Sequence, residues 1–237
     1  MRAGLGRPHR HYRRTDSTNA RARELAEAGA VGGLVVTADE QTAGRGRQGR
    51  SWFAPPGTAL LYSALLRPVD ERPLLPLLVP LAVSEAAESL APVGCELKWP
   101  NDVWVGGRKL AGVLVEGRPG EDEAGWAVVG VGMNVAVAAD AFPPELRESS
   151  VSLGDGIEVA TALAELNRTL SRWLDADDPA ILASFRERDA LRGRRISWQG
   201  GAGTAAGIDD AGHLLVEVDA GETVALGAGE VHLDPIG

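Results

Sequence analysis

Several residue types are scarce in this 237-residue chain, and each shortage excludes a class of protein. A single cysteine, Cys95, excludes an internal disulfide framework and fits a reducing compartment, with the thiol acting as a small buried hydrophobe. No apolar run approaches the roughly 20 residues of a membrane-spanning helix, and the Arg-rich N-terminus lacks the apolar core of a secretory signal. We therefore expect a cytoplasmic protein without a membrane partner.

Positive charge is also in short supply. The chain has 24 Lys and Arg residues against 33 Asp and Glu, which gives a formal net charge of -9. This balance argues against a broad nucleic-acid-binding surface, although residues 7–14 and 45–50 are locally basic. The hydrophobic content of 44% is ordinary for a soluble globular protein, and the length allows a large domain with a small one.

Lysine is the scarcest basic residue, because 2 of the 24 basic residues are Lys and the others are Arg. Both of them, Lys98 and Lys109, lie in one short stretch. A position that keeps Lys against an Arg background indicates a site that needs a compact ammonium, which a guanidinium fork does not imitate. Chance clustering is the alternative, and the neighbouring residues decide between the two.

The pattern along the chain predicts an α/β arrangement followed by a small all-β unit. Residues 20–28, 74–90, 159–174 and 177–189 have helical features, and residues 33–39, 59–66, 96–104, 109–116 and 126–135 have those of strands, with a hairpin turn at Gly106-Gly107 and a loop over 136–157. Short alternating runs broken by glycines follow from residue 192. We predict a flexible lead-in over 1–14 (including solvated His9 and His11), a main domain over 15–191 and a C-terminal domain over 192–237.

A loop rich in Gly and Arg, residues 43–52, contains a literal GxGxxG pattern. A dinucleotide-binding turn would continue into a helix, but Pro55 and Pro56 follow, and no Walker A sequence occurs. The glycines can instead present backbone N–H groups to an anion, and the arginines can bind phosphate. In an extended loop Arg45 and Arg47 would project to the same side. A solvated basic loop is the alternative.

Six short motifs follow one another along the chain. They are DSTN at 16–19, DEQTAGRGRQGRSW at 39–52, LKWPND at 97–102, RKLAGVLVE at 108–116, GVGMNV at 130–135 and GEV at 229–231. One such motif alone is a weak signal, but all of them in this order and spacing are specific. The chain therefore resembles the biotin protein ligases (biotin–[acetyl-CoA-carboxylase] ligases).

The resemblance implies an α+β fold. A mixed β-sheet backed by helices, of the class II aminoacyl-tRNA synthetase-like kind, would be followed by a small SH3-like β-barrel. It also implies that biotin and ATP, with Mg²⁺, give biotinyl-5′-AMP and pyrophosphate, and that biotin then passes to a lysine of the biotin carboxyl carrier protein of an acetyl-CoA or acyl-CoA carboxylase. About fourteen residues precede the first motif, so we expect the single-function type without specific DNA binding, as a monomer or homodimer.

Site residues follow from the same resemblance. The expected catalytic residues are Lys109, Arg47 and Lys98. The expected biotin-binding residues are Ser17, Thr18, Asn19, Gln41, Gly44, Arg45, Gly46, Arg47, Lys109, Gly112 and Gly132. The expected ATP-binding residues are Arg47, Arg50, Trp52, Lys98, Asn101 and Asn134. Asp102 is expected to be a hydrogen-bond anchor or a metal-side carboxylate, and no residue is assigned as a metal ligand.

Other interpretations of these residues and of the function remain open from the sequence. Ser17 and Thr18 could act as helix caps, which is compatible with ligand binding, and Trp99 and Trp104 are expected in the core. A lipoate–protein ligase shares the chemistry, and a non-catalytic biotin or nucleotide sensor is a further alternative. The loop carries Gln48 where some relatives have Arg, and only Phe142 is available to cover an adenine. Residues 192–237 hold none of the adenylation motifs, so we expect them to support carrier docking or site closure.

Overall fold

Strands from the first two thirds of the chain form one mixed sheet in the computed structural model, which describes residues 4–68, 72–118, 125–219, 221–227 and 229–233. Its seven strands lie in the order β1-β2-β3-β7-β6-β5-β4, and all neighbours are antiparallel except the parallel pair β1 and β2. The strands are β1 His9–Tyr12, β2 Val35–Ala38, β3 Ala59–Leu66, β4 Cys95–Lys98, β5 Asp102–Val105, β6 Arg108–Arg118 and β7 Trp126–Asn134.

Among the described residues, four α-helices cover the two faces of this sheet. They are α1 Thr18–Glu27, α2 Leu75–Leu90, α3 Val159–Leu174 and α4 Asp178–Glu187. Adjacent strand residues point to opposite faces, so Val35 packs in the large core with α2, α3 and α4, whereas Val36 packs in a smaller cluster with α1. Ser17 caps α1 by accepting a hydrogen bond from the Ala20 N–H, which places the DSTN motif at the start of a helix.

The second sheet is antiparallel and follows α4. Its strands are β8 Arg195–Trp198, β9 Gly201–Ile208, β10 Leu214–Glu217, β11 Thr223–Leu226 and β12 Val231–Leu233, in the order β11-β10-β9-β8-β12. This is the small SH3-like unit that the resemblance implied, so the predicted fold class is confirmed. Its buried residues, such as Ile196 and Val216, join the large core of the first sheet.

Two predictions about local structure are wrong. The expected flexible lead-in contains β1, whose backbone pairs with β2, and both His9 Nε2 (2.8 Å) and His11 Nδ1 (3.0 Å) hydrogen-bond Thr37 Oγ1. The run over 96–104 is two strands, because Pro100 lacks an N–H for the ladder and the chain turns there. Residues 1–3, 69–71, 119–124, 220, 228 and 234–237 of the predicted domains lie outside the described residues, and the boundary at 191 stays a prediction.

Two other findings bear on the compositional predictions. Cys95 is buried, as predicted, and burial raises the pKa of its thiol to about 12. The described helices include none that is both long and apolar enough to cross a membrane.

Trp99 joins the two sheets. Its side chain is 2% exposed and its indole Nε1 donates to the Gly212 carbonyl oxygen at 3.1 Å, between β9 and β10. We expect Trp99→Phe to lower the free energy of unfolding by about 1–3 kcal/mol more than a matched control, because the partly buried Gly212 carbonyl oxygen loses its donor. Urea titration measures this. Trp126→Phe, in the cluster under α1, removes the same ring volume and is that control. Equal losses in the two variants would contradict the linking role.

Candidate active site

A cavity of about 420 Å³ lies where the two sheets meet the Gly-Arg loop. This volume suits a small-molecule ligand. The predicted site residues that line it are Ser17, Thr18, Asn19, Gln41, Arg45, Gly46, Arg47, Arg50, Trp52, Lys98, Asn101, Asp102, Lys109, Gly112, Gly132 and Asn134. Gly44 does not line it: a Cβ there would lie 2.9 Å from Gln41 Nε2 and 2.8 Å from the Trp52 carbonyl oxygen, so this glycine supports the loop from behind.

One end of the cavity is formed by the start of α1 and by Gln41. The Thr18 N–H donates to Gln41 Oε1 at 2.7 Å, which leaves the Gln41 Nε2 group as a donor. Ser17 Oγ accepts from the Ala20 N–H at 3.4 Å, so its own hydroxyl hydrogen remains available. Such a set of polar groups complements a cyclic urea, which has a carbonyl oxygen between two N–H groups. Helix capping and ligand binding are therefore compatible here, as the sequence allowed.

Asn19 differs from its neighbours in the motif. Although it lines the cavity, its amide is bonded into the protein, with Nδ2 2.7 Å from Glu116 Oε2 and Oδ1 2.6 Å from Ser63 Oγ. A direct polar contact from Asn19 to biotin is therefore not what this geometry offers. Its side chain orders the residues behind the site.

Two glycines in paired strands form a flat floor under an aromatic ring. Gly112 on β6 lies opposite Gly132 on β7, and a Cβ at Gly132 would lie 2.4 Å from Trp52 Cε2. The ring of Trp52 lies on this floor, 5.8 Å from Lys109 Nζ. Trp52 therefore sits beside residues predicted to bind biotin, rather than only on the nucleotide side where we expected it.

The middle of the cavity is cationic. Its described lining includes Arg45, Arg47, Arg50, Lys98 and Lys109, against the two carboxylates Asp102 and Glu230. Lys109 Nζ lies 2.7 Å from Asp102 Oδ1, so the expected hydrogen-bond role of Asp102 is present. Desolvation lowers the pKa of Lys98, and the charge of Asp102 acts in the opposite direction. This local excess of positive charge can attract a polyphosphate to a chain that is acidic overall.

The Gly-Arg loop is folded back rather than extended. Arg45 bridges to Ser51, the Gly46 N–H donates to the Arg50 carbonyl oxygen at 2.7 Å, and a 3-10 turn spans Arg47–Gly49. Gln48 adopts a φ of 54°, in the left-handed region, which tightens this turn. The loop is therefore not extended along its whole length. Gly46, between Arg45 and Arg47, is extended, and both arginines line the cavity, so their placement on one side of the loop stays a prediction.

The C-terminal unit supplies part of the cavity wall. Glu230 forms an ion pair with Arg50, and Arg47 Nη2 donates to the Gly229 carbonyl oxygen at 3.5 Å. Gly229, Glu230 and Val231 all line the cavity. The GEV motif therefore belongs to the site itself, in addition to any part this unit plays in docking.

Three buried polar atoms at the cavity have no hydrogen-bond partner among the described residues: Trp52 Nε1, Trp104 Nε1 and Asn134 Oδ1. Unpaired buried polar atoms are rare, so these three atoms need partners, which water or the polar groups of a ligand can supply. Trp104 was expected in the core with Trp99, and only Trp99 is there. Strand alternation was the missed signal, since Trp104 lies two residues from Asp102 on β5 and faces the same side.

A methyl group on the glycine floor should displace the aromatic ring. We expect Gly132→Ala to weaken the binding of biotin, the ligand that the resemblance implies, on the order of tenfold or more, because Trp52 must move from its place. Isothermal titration calorimetry measures the affinity. Gly94→Ala is the matched control, since a Cβ there meets nothing within 4 Å. Tight binding by the Gly132 variant would show that Trp52 has no part in the biotin site.

Comparisons with known proteins agree with this geometry. Residues 11–134 match the Biotin/lipoate A/B protein ligase family, and residues 202–234 match the Biotin protein ligase C terminal domain. The Biotin--[acetyl-CoA-carboxylase] ligase of Mycobacterium tuberculosis is 37% identical over 235 residues, covering 92% of this chain and 85% of that protein. The bifunctional ligase/repressor BirA of Bacillus subtilis is 34% identical over 220 residues, covering 86% and 68%.

A solved structure has the same fold with both expected substrates. The biotin protein ligase from Aquifex aeolicus in complex with biotin and ATP aligns with a TM-score of 0.81 and 28% identity, covering 95% of this chain and 98% of that one. From its motifs, its fold and these relatives, this chain belongs to the biotin/lipoate A/B protein ligase family.

Proposed function

We infer that the chain is a biotin–[acetyl-CoA-carboxylase] ligase, which activates biotin with ATP and then transfers it to an acceptor protein. A carboxylate oxygen of biotin attacks the α-phosphorus of ATP, the bond to the β-phosphate oxygen breaks, and pyrophosphate leaves. The amine of the acceptor lysine then attacks the acyl carbon of biotinyl-5′-AMP, loses a proton and releases AMP. The carrying observation is one cavity with a urea-complementary end and a cationic middle.

Our proposed roles follow from position. Lys109, whose ammonium lies beside Asp102, neutralises charge where the biotin carboxylate meets the α-phosphate. Arg47 and Lys98 hold the phosphates from the loop side and the β4 side. Asn101 positions the turn between β4 and β5, since its Nδ2 donates to the Val113 carbonyl oxygen at 2.7 Å. Asn134 donates to the Val151 carbonyl oxygen through Nδ2, which leaves its unpaired Oδ1 to accept from the nucleotide.

Biotin is favoured over lipoate by two observations. The donors and acceptor at Ser17, Thr18 and Gln41 complement a urea, whereas the dithiolane ring of lipoate offers no N–H or carbonyl group. The C-terminal match is to a domain of biotin protein ligases. The full set of phosphate-side cations also speaks against a non-catalytic sensor, which would not need them.

We propose that Mg²⁺ enters with ATP. The two cavity carboxylates, Asp102 and Glu230, are already paired with Lys109 and Arg50, and no group of three or more His, Cys, Asp or Glu side chains suited to a metal occurs in the part of the chain that the structure describes. The protein donors therefore do not form a metal cage. Phosphate oxygens usually supply much of the Mg²⁺ coordination in ATP sites, with Asp102 the nearest candidate from the protein.

We also propose an acceptor protein, a cellular location and a domain organisation for this chain. The acceptor is the biotin carboxyl carrier protein of an acetyl-CoA or acyl-CoA carboxylase, which the names of the relatives support. The net charge of -9 supports the absence of specific DNA binding, and the lone buried thiol supports a cytoplasmic location. We keep residues 15–191 and 192–237 as the two domains, in a monomer or homodimer.

Biotin-dependent exchange of pyrophosphate into ATP tests the function. We expect exchange with biotin and not with lipoate, and a loss of about 10²–10³ in rate for Lys109→Arg, because a guanidinium cannot seat a compact charge between carboxylate and phosphate. Arg108→Lys, at the neighbouring exposed position, is the control and should keep its rate. Exchange driven by lipoate alone would reverse the assignment, and an active Lys109→Arg variant would remove the role of Lys109.

The Gly-Arg loop should retain the adenylate. We expect Arg45→Gly to release biotinyl-5′-AMP into solution, because the variant loses a cation that holds the loop over an anion. The measurement is biotin incorporated into an added bystander protein that contains exposed lysines. Arg10→Gly, on the exposed strand β1, removes a cation remote from the cavity as the control. Equal bystander labelling by the wild type and the Arg45 variant would show that this side chain does not retain the intermediate.

A further inference from the structure

Behind the urea-complementary end of the cavity lies a row of hydrogen-bonded polar side chains, which starts at Glu116 on β6 and continues through Asn19 on α1 and Ser63 on β3 to Thr18 on α1. Glu116 Oε2 lies 2.7 Å from Asn19 Nδ2, Asn19 Oδ1 lies 2.6 Å from Ser63 Oγ, and Ser63 Oγ lies 2.8 Å from Thr18 Oγ1. Asn19 is 6% exposed, Thr18 is 3% exposed and Ser63 is fully buried. Neither Ser63 nor Glu116 was among the residues expected to act in the site.

The direction of each hydrogen bond in this row follows from the chemistry at its Glu116 end. A carboxylate accepts hydrogen bonds and does not donate them, so the Asn19 atom that faces it is the NH₂ group. The Asn19 oxygen must then face Ser63, and it too only accepts. The single hydroxyl hydrogen of Ser63 is therefore donated to Asn19, and Ser63 Oγ is left to accept the hydroxyl hydrogen of Thr18.

Thr18 consequently presents an acceptor to the cavity. Its hydroxyl has one hydrogen, and the protein offers it two internal acceptors, Ser63 Oγ at 2.8 Å and Gln41 Oε1 at 3.1 Å. Gln41 Oε1 already accepts the Thr18 N–H at 2.7 Å, so Ser63 is the closer and less occupied partner. A lone pair of Thr18 Oγ1 then remains for a ligand, and no hydrogen remains to donate.

The backbone beside the row is shaped to keep Asn19 in place. A Cβ at Gly130 on β7 would lie 2.1 Å from Asn19 Oδ1, so any side chain there would push the amide out of the row. Arg23 lies 3.8 Å from Glu116 Oε1 and adds a positive charge beside the carboxylate. Gly130 and Arg23 thus stabilise the row at Asn19 and at Glu116, and the Glu116 carboxylate sets the direction of its hydrogen bonds.

We propose that Glu116, Asn19 and Ser63 are positioning residues that fix Thr18 as an acceptor-only group and so select ligands with a ring N–H at that point. This selection rests on the proposed function, since biotin has such an N–H. A ring oxygen at the same point would face the lone pair of Thr18 and be rejected. A site built to bind an N–H discriminates strongly against analogues that lack it.

The test compares biotin with two analogues in which one or the other ring N–H is replaced by oxygen, the acid chain being retained. In the wild type we expect the analogue with oxygen facing Thr18 to have a kcat/KM about 10²-fold below that of biotin. In Ser63→Ala the Thr18 hydroxyl keeps only the longer contact to Gln41 Oε1, at 3.1 Å, which already accepts the Thr18 N–H, so its hydrogen can turn to the ring oxygen. Its kcat/KM for the analogue should therefore rise while that for biotin falls severalfold, so that the preference drops to about tenfold or less.

A second variant changes the polarity without removing volume. Glu116→Gln can present either its carbonyl oxygen or its NH₂ group to Asn19. Only the longer bond from Asn19 Nδ2 to the Leu114 carbonyl oxygen, at 3.4 Å, then favours one orientation of the amide, so the direction of the row is weakened. We expect this isosteric variant to reduce the preference in the same direction by a smaller factor, about threefold to tenfold. Ser84→Ala, which removes a buried hydroxyl from α2, and Glu24→Gln, which weakens an ion pair on α1, are the matched controls and should keep the wild-type preference.

The possible results distinguish failure of the row's positioning role from failure of the proposed function. A gain in analogue use by Glu116→Gln, with or without a gain by Ser63→Ala, supports the positioning role of the row, because loss of structure alone would weaken both ligands alike. An unchanged preference in Glu116→Gln, with the wild type active on biotin, overturns it, and this variant also decides the matter if circular dichroism shows that Ser63→Ala is misfolded. If the wild type does not use biotin at all, it is the proposed function that fails.

Discussion

The register between β6 and β7 is the constraint on which the site depends. Gly112 pairs with Gly132 and Leu114 with Gly130, so the floor under Trp52 and the space for Asn19 come from one antiparallel ladder. A slip of one residue would turn every side chain of a strand to the other face. Lys109, near one end of β6, would then no longer face the cavity, and Glu116, near the other end, would no longer reach Asn19.

Charge is distributed so that an acidic chain can bind an anionic substrate. The cations of the cavity come from separate parts of the chain, with Arg45 on the Gly-Arg loop, Lys98 at the end of β4 and Lys109 on β6. Partial burial makes each charge interaction in the cavity stronger than it would be in water. The same burial disfavours the charged form of Lys98 and so lowers its pKa. The ion pair of Glu230 with Arg50 brings the second sheet to this site, so the small C-terminal unit is part of its electrostatics.

Two parts of the cavity offer different chemistry. At the Thr18 end, neutral donors and acceptors are held in fixed directions by hydrogen bonds that the protein makes with itself, which suits a polar ring rather than a charge. In the middle, the compact ammonium of Lys109 lies beside Asp102 among forked arginines, and we propose that carboxylate and phosphate meet there. Orientation and charge stabilisation of the two reactants are what adenylation without a covalent enzyme intermediate requires.

Local sequence determined much of this protein. Helical and strand periodicity located most elements, and ordered motifs indicated the family and a set of site residues that, apart from Gly44, all line the cavity. Strand alternation could also have placed Trp104 beside Asp102. Tertiary structure alone decided the rest, including the strand β1, the ion pair of Glu230 with Arg50 and the row of hydrogen-bonded side chains through Ser63. Ser63 and Asn19 are 44 positions apart in the chain, and no local pattern encodes a contact that forms only when distant strands and a helix pack together.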